Sequence, residues 1–287
     1  MALRQVTVFG GSGFLGRYVV QHLARSGARV AVAVRRTEPA QFVRMFGNVG
    51  QVMPVPCDVT RPDTVAAALQ GAEAAVNLVG ILYETGGRSF DDLHRVGPGN
   101  IAAAARAAGL KRLVHVSAIG ADPQSTSAYA RSKGQGEDAV RAAFPDATIL
   151  RPSLVFGPED EFFNRFARLA RLAPALPLFG GGRTRFQPVY VGDVADAVMA
   201  ALDDKTARGR TYELGGPDVL SFEDILKLIL ATTNRCRCLV RLPFWVADVL
   251  GALSPVTPRI PGSAPLITRD QARLLRRDNV VAPGEIG

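Results

Sequence analysis

The sequence predicts an α/β fold with a doubly wound parallel sheet and a smaller C-terminal lobe. Three observations lead to this prediction. Short runs rich in Val, Ile and Leu alternate with helical patterns over the first 157 residues, as expected where helices cover both faces of a parallel sheet. A glycine-rich turn joins the first such run to the first helical pattern. A chain of 287 residues also has enough material for a large buried core and an added lobe.

The order of the elements supports this topology. Six strands are predicted, at residues 5–10, 28–36, 51–59, 74–82, 112–118 and 147–157. Helices are predicted between them at 14–27, 64–71, 98–109 and 127–144. In the first helix the apolar positions 15, 19, 20 and 23 share one face, and the third helix is rich in alanine, a good helix former. Because crossovers between parallel strands are right-handed, a Rossmann-type sheet is the simplest arrangement.

The composition limits the class of protein. The sequence is 47% hydrophobic and 21% charged, which is ordinary for a soluble globular protein, and no apolar run reaches the ~18 residues of a membrane-spanning helix. Because the first residues lead straight into a strand, we expect no secretory signal and a cytoplasmic location. No metal site is expected, since the three cysteines and three histidines have no ligand spacing, and these residues are Cys57, Cys236, Cys238, His22, His94 and His115.

The net charge of +8 is concentrated in the first 150 residues and after residue 229. A basic first half suits an anionic nucleotide. A basic C-terminal part suits an acidic protein neighbour or an anionic membrane surface, so a peripheral position on the cytoplasmic face of the inner membrane is compatible with it. No nucleic-acid partner is expected, because no recognition motif is present.

The most informative motif is the turn Gly10-Gly11-Ser12-Gly13-Phe14-Leu15-Gly16, between the first strand and the first helix. Its glycines allow a tight turn, a close approach of the backbone to a pyrophosphate, and close packing of the helix on the sheet. The helix N-terminus supplies free N–H groups and the positive end of the helix dipole. This context predicts a bound dinucleotide.

The end of the second strand predicts which dinucleotide is bound. NAD-binding proteins usually have an acidic residue here for the ribose 2′-hydroxyl, whereas arginine suits the 2′-phosphate of NADP. This chain has Arg35 and Arg36, and the planar guanidinium group binds phosphate well. Arg17, directly after the third glycine, is a further candidate. We therefore expect NADPH rather than NAD; solvated arginines in an arginine-rich chain are the alternative interpretation.

Two more strand ends contribute candidate cofactor contacts at the carboxyl edge of the sheet. Asp58 and Val59 follow the third strand, where a carboxylate suits the adenine amino group. Leu78, Val79 and Gly80 lie at the end of the fourth strand. Both assignments depend on position alone, and an ordinary turn is the alternative in each case.

Tyr129 and Lys133 form a Tyr-x-x-x-Lys pair after the fifth strand. Residues four apart share a helix face, so the lysine ammonium group can lie beside the phenol and favour its ionised form. Such a pair can donate a proton near neutral pH, and the lysine can also bind the nicotinamide ribose. A surface helix pair without a function is the alternative.

These residues together resemble the extended and atypical short-chain dehydrogenase/reductase superfamily over most of the chain. The strings VFGGSGFLGRYVV, NLVGILYE, LVHVSAIGAD, YARSK, ILRPSLVFGPEDEFFNRFA and RFQPVYVGDVADAV are similar to one branch, the nucleotide-binding accessory subunit of respiratory complex I (NADH:ubiquinone oxidoreductase). The resemblance implies complex I subunits or assembly factors as partners and a structural NADPH that is not turned over. It implies that the nucleotide is held by Gly10, Gly13, Phe14, Leu15, Gly16, Arg35, Arg36, Tyr129 and Lys133, with Ser117, Pro152, Ser153 and Leu154 at the nicotinamide end.

One departure from the superfamily leaves catalysis uncertain. Catalytic members have a serine or threonine just after the fifth strand, and this chain has Ala118 and Ile119 there. Ser125, Thr126 and Ser127 are the nearby hydroxyl groups. An active NADP-dependent reductase or nucleotide-sugar epimerase/dehydratase that uses Tyr129 and Lys133 stays the alternative, and a regulator that senses the NADPH/NADP ratio is a third.

The remaining sequence predicts the domain division. Proline and glycine are frequent at 174–188 and 254–265. We place the nucleotide-binding core at 1–157 and 186–216, and the smaller substrate or interaction lobe at 158–185 and 217–287. In the lobe, the stretches 162–172 and 242–253 have apolar faces that suit core packing or docking on a partner or membrane.

Overall fold

The computed structural model describes residues 3–84, 87–253 and 268–282. Two compact units divide the chain. Unit 1 contains the described residues of 1–152 and 191–214, and unit 2 contains those of 153–190 and 215–282. The division predicted from the sequence has its boundaries at 157, 186 and 216, and the roles it assigns to the two parts stay predictions.

The secondary structure is numbered along the chain. The strands are β1 (Gln5–Phe9), β2 (Arg29–Val34), β3 (Val52–Pro56), β4 (Ala74–Asn77), β5 (Arg112–Val116), β6 (Thr148–Pro152), β7 (Val155–Phe156), β8 (Ala175–Phe179), β9 (Arg185–Phe186), β10 (Val189–Tyr190), β11 (Thr211–Leu214), β12 (Leu220–Ser221) and β13 (Cys238–Leu242). The α-helices are α1 (Phe14–Arg25), α2 (Pro62–Ala68), α3 (Gly97–Ala107), α4 (Ala128–Ala143), α5 (Phe162–Leu172), α6 (Val191–Asp203), α7 (Phe222–Thr232), α8 (Phe244–Leu253) and α9 (Arg269–Leu274).

Unit 1 contains a seven-stranded sheet in the order β3-β2-β1-β4-β5-β6-β11, and every pair of neighbours is parallel. This is the doubly wound Rossmann arrangement that the sequence predicts. Side chains alternate between the two faces, so that Val6 and Val8 pack in the layer of α1 and α6, and Phe9 packs in the layer of α2 to α4. The strand order reverses between β1 and β4, which makes their carboxyl ends the expected binding crevice.

Two predicted strands are longer than the observed ones. The fourth was expected over 74–82, but β4 ends at Asn77, because the Asn77 side chain accepts a hydrogen bond from the Val79 N–H (3.0 Å) and turns the chain. The sixth was expected over 147–157, but β6 ends at Pro152. Residues 155–156 form the separate strand β7, which pairs with β10 in unit 2.

Unit 2 has its own hydrophobic core, formed by α5, α7, β8 and aromatic side chains. Phe162 and Phe222 contact each other, and each also contacts Phe166 and Phe186, with ring centroids 5.2–6.4 Å apart. In α8, Ala247 lies in this core whereas Trp245 is 65% exposed. None of the helices in the described ranges is long and apolar enough to cross a bilayer.

Candidate nucleotide-binding site

The glycine turn after β1 is closely packed against its own backbone. Gly10 has φ +79°, a conformation that favours glycine, and a Cβ there would lie 3.1 Å from the carbonyl carbon of Leu78. A Cβ on Gly16 would lie 2.2 Å from the Gly10 carbonyl oxygen. Gly16 therefore allows α1 to pack directly on the turn, as expected for the third glycine of such a motif.

The N-terminus of α1 lies open beside this turn. Gly13 precedes the helix with an extended backbone and accepts a hydrogen bond from the Arg17 N–H (3.1 Å), and within the described chain no side chain caps the helix. Ser12, Phe14 and Leu15 are partly exposed. Because no acidic side chain occupies the first turn, the positive end of the helix dipole is left for an external anion.

Three arginines lie near the ends of β2 and α1. Arg35 and Arg36 directly follow β2 and are exposed, and within the described ranges neither guanidinium group has a hydrogen-bond or salt-bridge partner. Arg17 lies over the Phe42 ring at 5.3 Å, a cation–π contact that orients its guanidinium group. Two exposed cations at a strand end are thus available to an anionic ligand.

Asp58, at the end of β3, already has a strong partner that the sequence did not indicate. Arg88 donates two hydrogen bonds to its carboxylate, at 3.0 and 2.8 Å, and Thr60 donates two more to Oδ1. The bonds from Arg88 hold the pKa of Asp58 well below its usual range. Since a carboxylate oxygen accepts about two hydrogen bonds, Oδ1 is saturated, and only Oδ2 has capacity left for another donor. Val59, the next residue, is buried.

The chain beyond β4 passes close to Lys133. Leu78 and Val79 are partly exposed, and a Cβ on Gly80 would lie 3.3 Å from Lys133 Nζ. Gly80 thus lets the backbone approach the ammonium group.

Tyr129 and Lys133 lie in the first turns of α4, which Ser127 caps by accepting from the Ala130 N–H. Lys133 is buried, and Nζ is 3.4 Å from the carbonyl oxygen of Val116 at the end of β5. Burial lowers the pKa of Lys133 to about 8, although Glu137 acts in the opposite direction. Tyr129 is partly exposed. A deeply placed cation and an accessible phenol on one helix face can bind a ribose or move a proton.

A buried histidine that belongs to no motif in the sequence contacts Tyr129. His94 is 1% exposed, and its ring centroid is 5.4 Å from that of Tyr129. Its Nε2 accepts from the Ile81 N–H (3.0 Å) and its Nδ1 is 2.9 Å from Ser132 Oγ. No motif in the sequence indicated these contacts, because His94 lies 35 residues before Tyr129 and in a different element.

A buried ion cluster lies one turn further along α4, and no motif in the sequence indicated it. Glu137 is 1% exposed and accepts two hydrogen bonds from Arg151 of β6, at 2.9 and 2.8 Å, and one from Arg141 at 3.0 Å. Arg151 also lies 3.6 Å from Glu213 of β11. With Tyr129 and Lys133, these residues place polar groups along one face of α4, at four-residue spacing from 129 to 141.

Two polar atoms at the end of β5 have no hydrogen-bond partner among the described residues, and both are buried. They are the Ser117 hydroxyl oxygen and His115 Nε2. Asn77 Nδ2 lies 3.0 Å from His115 Nδ1, and since the Asn77 oxygen accepts from Val79, the amide nitrogen is the donor. Burial, followed by the charges of Lys133 and Arg141, lowers the pKa of His115 to about 3. The neutral ring therefore carries its proton on the unpartnered Nε2.

Two hydroxyl groups in the loop before α4 have structural partners. Ser127 caps α4, and Ser125 Oγ accepts from the Ser127 N–H (3.2 Å). Pro152 ends β6, where its carbonyl oxygen accepts from the Ile119 N–H. In unit 2, Ser153 donates its hydroxyl to Asn279, and Leu154 packs on the core. The sequence-predicted residues of unit 1 thus lie at or after the carboxyl ends of β1 to β6.

Known proteins of similar sequence and fold identify the family. The sequence model of the NAD dependent epimerase/dehydratase family matches residues 6–215. The NADH dehydrogenase [ubiquinone] 1 alpha subcomplex subunit 9 of Arabidopsis thaliana is 38% identical over 283 residues, which cover 96% of this chain and 70% of that protein. The ceramide reductase of Caulobacter vibrioides is 36% identical over 195 residues, covering 68% and 60% of the two chains.

A solved structure agrees with these sequence relatives. The UDP-glucuronic acid 4-epimerase of Bacillus cereus, solved with NAD, matches with a TM-score of 0.71 and 20% identity over 83% of this chain and 87% of that chain. At this identity the match shows the fold alone. The chain belongs to the NAD dependent epimerase/dehydratase family of the short-chain dehydrogenase/reductase type, in the branch of the alpha subcomplex subunit 9 proteins.

Proposed function

We propose that this protein is an NADPH-binding accessory or assembly subunit of respiratory complex I, in which the nucleotide is a structural component. The observation that carries the proposal is the glycine turn, where an added Cβ would lie 2.2 Å from backbone beside an uncapped helix N-terminus. The relative of Arabidopsis thaliana, named as a complex I subunit, supports the partner. The chain would then work at a membrane-bound complex, on the cytoplasmic face of the inner membrane.

The residues at the carboxyl edge fit a dinucleotide phosphate. The diphosphate would lie on the glycine turn and the α1 N-terminus, and Arg35 and Arg36 would bind the 2′-phosphate. Tyr129 and Lys133 would bind the nicotinamide ribose, near the unpartnered Ser117 hydroxyl. Bound NADPH supplies a hydride donor in reductases; as a ligand of the folded state alone, it also stabilises the fold by mass action.

The residues after β5 give little support for catalytic turnover of the nucleotide. Ala118 and Ile119, at the position where catalytic members have a serine or threonine, have no hydrogen-bond donor in their side chains, whereas the Ser125 and Ser127 oxygens accept from backbone N–H groups in the loop and at the start of α4. A missing donor at a developing oxyanion costs on the order of 10²–10³ in rate. A bound but slowly reacting nucleotide is the expected result.

The choice of NADPH is tested at the end of β2. Arg35→Ala and Arg36→Ala should each raise the NADPH dissociation constant about 10-fold and leave that of NADH unchanged, since each removes a charge-assisted hydrogen bond to the extra phosphate. Binding is measured by nucleotide fluorescence. Arg29→Ala, at the opposite end of the same strand, is the matched control and should bind both nucleotides normally. If the wild type binds NADH as tightly as NADPH, the assignment is wrong.

The complex I role is tested by purifying the tagged full-length chain from its own membranes. Co-purification of quinone-reductase subunits, with NADPH released on denaturation and no oxidation by carbonyl or nucleotide-sugar substrates, supports the role. A chain that purifies without such subunits contradicts it.

An active reductase is the second candidate. Tyr129 and Lys133 on one face of α4 favour it, and so does the relative named ceramide reductase. In this case the chain oxidises NADPH with a carbonyl substrate. Tyr129→Phe abolishes that oxidation, and the dissociation constant of NADPH changes little.

A further inference from the structure

His94 connects two parts of unit 1 that are distant in sequence. It belongs to a π-helix, Asp91–Val96, which directly precedes α3. One ring nitrogen contacts the chain after β4, at Ile81, and the other contacts α4, at Ser132. Phe90 stacks on the ring at 5.3 Å, and Tyr129 contacts it edge-on. Single-turn π-helices are frequent at functional sites.

The directions of these hydrogen bonds follow from their donors. A backbone N–H only donates, so His94 Nε2 accepts from Ile81. The proton of the neutral ring is then on Nδ1, which donates to Ser132 Oγ, and that hydroxyl donates to the Tyr129 carbonyl oxygen at 2.8 Å. Burial, followed by the charges of Lys133 and His115, lowers the pKa of His94 far below its usual value and supports the neutral ring.

The surrounding backbone is packed to fit this arrangement. A Cβ on Gly136 of α4 would lie 1.8 Å from the His94 carbonyl oxygen, and a Cβ on Gly80 would lie 3.6 Å from Nε2. The π-helix and α4 therefore touch at the backbone, with Gly80 alongside the ring. Little room exists for the two sides to shift without breaking a hydrogen bond.

We propose that His94 is a positioning residue that fastens the Gly80–Ile81 backbone to the Tyr129–Lys133 helix and so fixes the width of the site for a ribosyl-nicotinamide group. The nucleotide part of this inference rests on the proposed function; the fastening itself does not. An imidazole is suited to the task because its two nitrogens bond in opposite directions while its faces contact aromatic rings.

The fastening is tested in the nucleotide-free, full-length protein. Nitrogen-15 NMR should show His94 as a single neutral tautomer protonated on Nδ1, and hydrogen exchange should show the Ile81 amide as strongly protected. A protonated Nε2, or an Ile81 amide that exchanges at the rate of an open loop, overturns the inference. This result is independent of whether the chain binds NADPH.

Variants then test the effect on the site. Phenylalanine retains the ring packing but neither hydrogen bond, and asparagine retains only an amide near Ser132. Glutamine can still accept from Ile81. We expect His94→Phe and His94→Asn to raise the NADPH dissociation constant about 10-fold, and His94→Gln to stay within about 3-fold of the wild type.

The matched control is Val140→Ala, a buried position further along α4. It should lower the melting temperature and leave NADPH binding unchanged. The inference is overturned if His94→Phe binds as the wild type does, if His94→Gln binds as weakly as His94→Phe, or if Val140→Ala weakens binding equally. If the wild type binds no nucleotide, the proposed function fails, and the NMR and exchange measurements still decide the fastening.

Discussion

The two ends of the candidate site are built in different ways. At the glycine turn, the contacts that matter are between backbone atoms, and side chains are excluded by distances such as the 2.2 Å between a Gly16 Cβ and the Gly10 oxygen. At the tyrosine end, polar side chains from β4, the π-helix, β5 and α4 form a buried polar network with one another and with nearby backbone groups, and the network continues along α4 to Glu137 and its arginine partners. The glycine turn depends on residues that have no side chain, whereas the tyrosine end depends on hydrogen bonds made by side chains.

This difference determines how each end tolerates change. A backbone turn has one sterically allowed arrangement, so an added methyl group displaces the main chain. A polar network tolerates a substitution that retains its hydrogen bonds, and fails when a buried charge or donor loses its partner. Substitutions at Gly16, Glu137 and Lys133 separate these two behaviours.

Gly16→Ala is expected to have the largest effect. Its Cβ would force the α1 backbone away from the turn, so we expect NADPH binding to be undetectable and the free energy of unfolding to fall by about 3 kcal/mol, the upper part of the range for overpacking. Calorimetry measures the change in stability, and nucleotide titration measures the loss of NADPH binding. Gly99→Ala in α3 is the control, because its Cβ would meet Ala139 at an ordinary 3.5 Å. The Gly99→Ala variant should be at least as stable as the wild type. Equal stability of Gly16→Ala and Gly99→Ala would contradict the steric argument.

Glu137→Gln tests the network. The substitution replaces the buried carboxylate that binds Arg151 and Arg141 with a neutral amide. Because it breaks a buried ion pair, we expect the free energy of unfolding to fall by about 3 kcal/mol. Urea unfolding measures the loss. Asp138→Asn, next in sequence and 62% exposed, should change stability by no more than about 0.5 kcal/mol. The importance of the buried cluster would be disproved by equal stabilities of the two variants.

The pH dependence of stability gives the most specific effect, because it follows the titration of one buried residue. Lys133 has a pKa of about 8 in the folded protein and an ordinary value of 10.5 in the unfolded chain. Between these values the unfolded chain binds more protons, so this residue makes stability rise as the pH increases from about 8 to about 10.5.

Lys133→Met should remove that rise, which unfolding curves over this pH range would show as a difference from the wild type. Lys227→Met is the control, because Glu223 raises the pKa of Lys227 and its contribution is instead lost at high pH. A Lys133→Met curve parallel to that of the wild type would mean that the ammonium group titrates normally.

The same contrast explains what the sequence could predict. The glycine turn, Arg35 and Arg36 lie at fixed positions next to recognisable strands, so they were identified from local pattern. His94 and Glu137 could not be identified, because their partners Ile81 and Arg151 lie on other elements. The Arg88 partner of Asp58 was missed for the same reason, 30 residues away.

The predicted strand boundaries were wrong where a side chain or a change of pairing partner ended the strand. Asn77 turns the chain after four residues of β4, although the apolar letters continue to Leu82. Likewise, the stretch from Ala147 to Phe156, predicted as one strand, contains two short strands that belong to different units. The hydrophobic pattern of a sequence predicts which residues can be buried, whereas tertiary contacts determine where the hydrogen-bonded pairing of a strand ends.

The contact between Ser153 and Asn279 has a consequence for biosynthesis. These partners are 126 residues apart, at opposite ends of the stretches that form unit 2. A ribosome releases Ser153 long before it reaches Asn279, and it makes β11 of the Rossmann sheet in between. The contact that joins the two stretches of unit 2 therefore forms only after residue 279 has been made, and until then the partly folded unit is a target for chaperones.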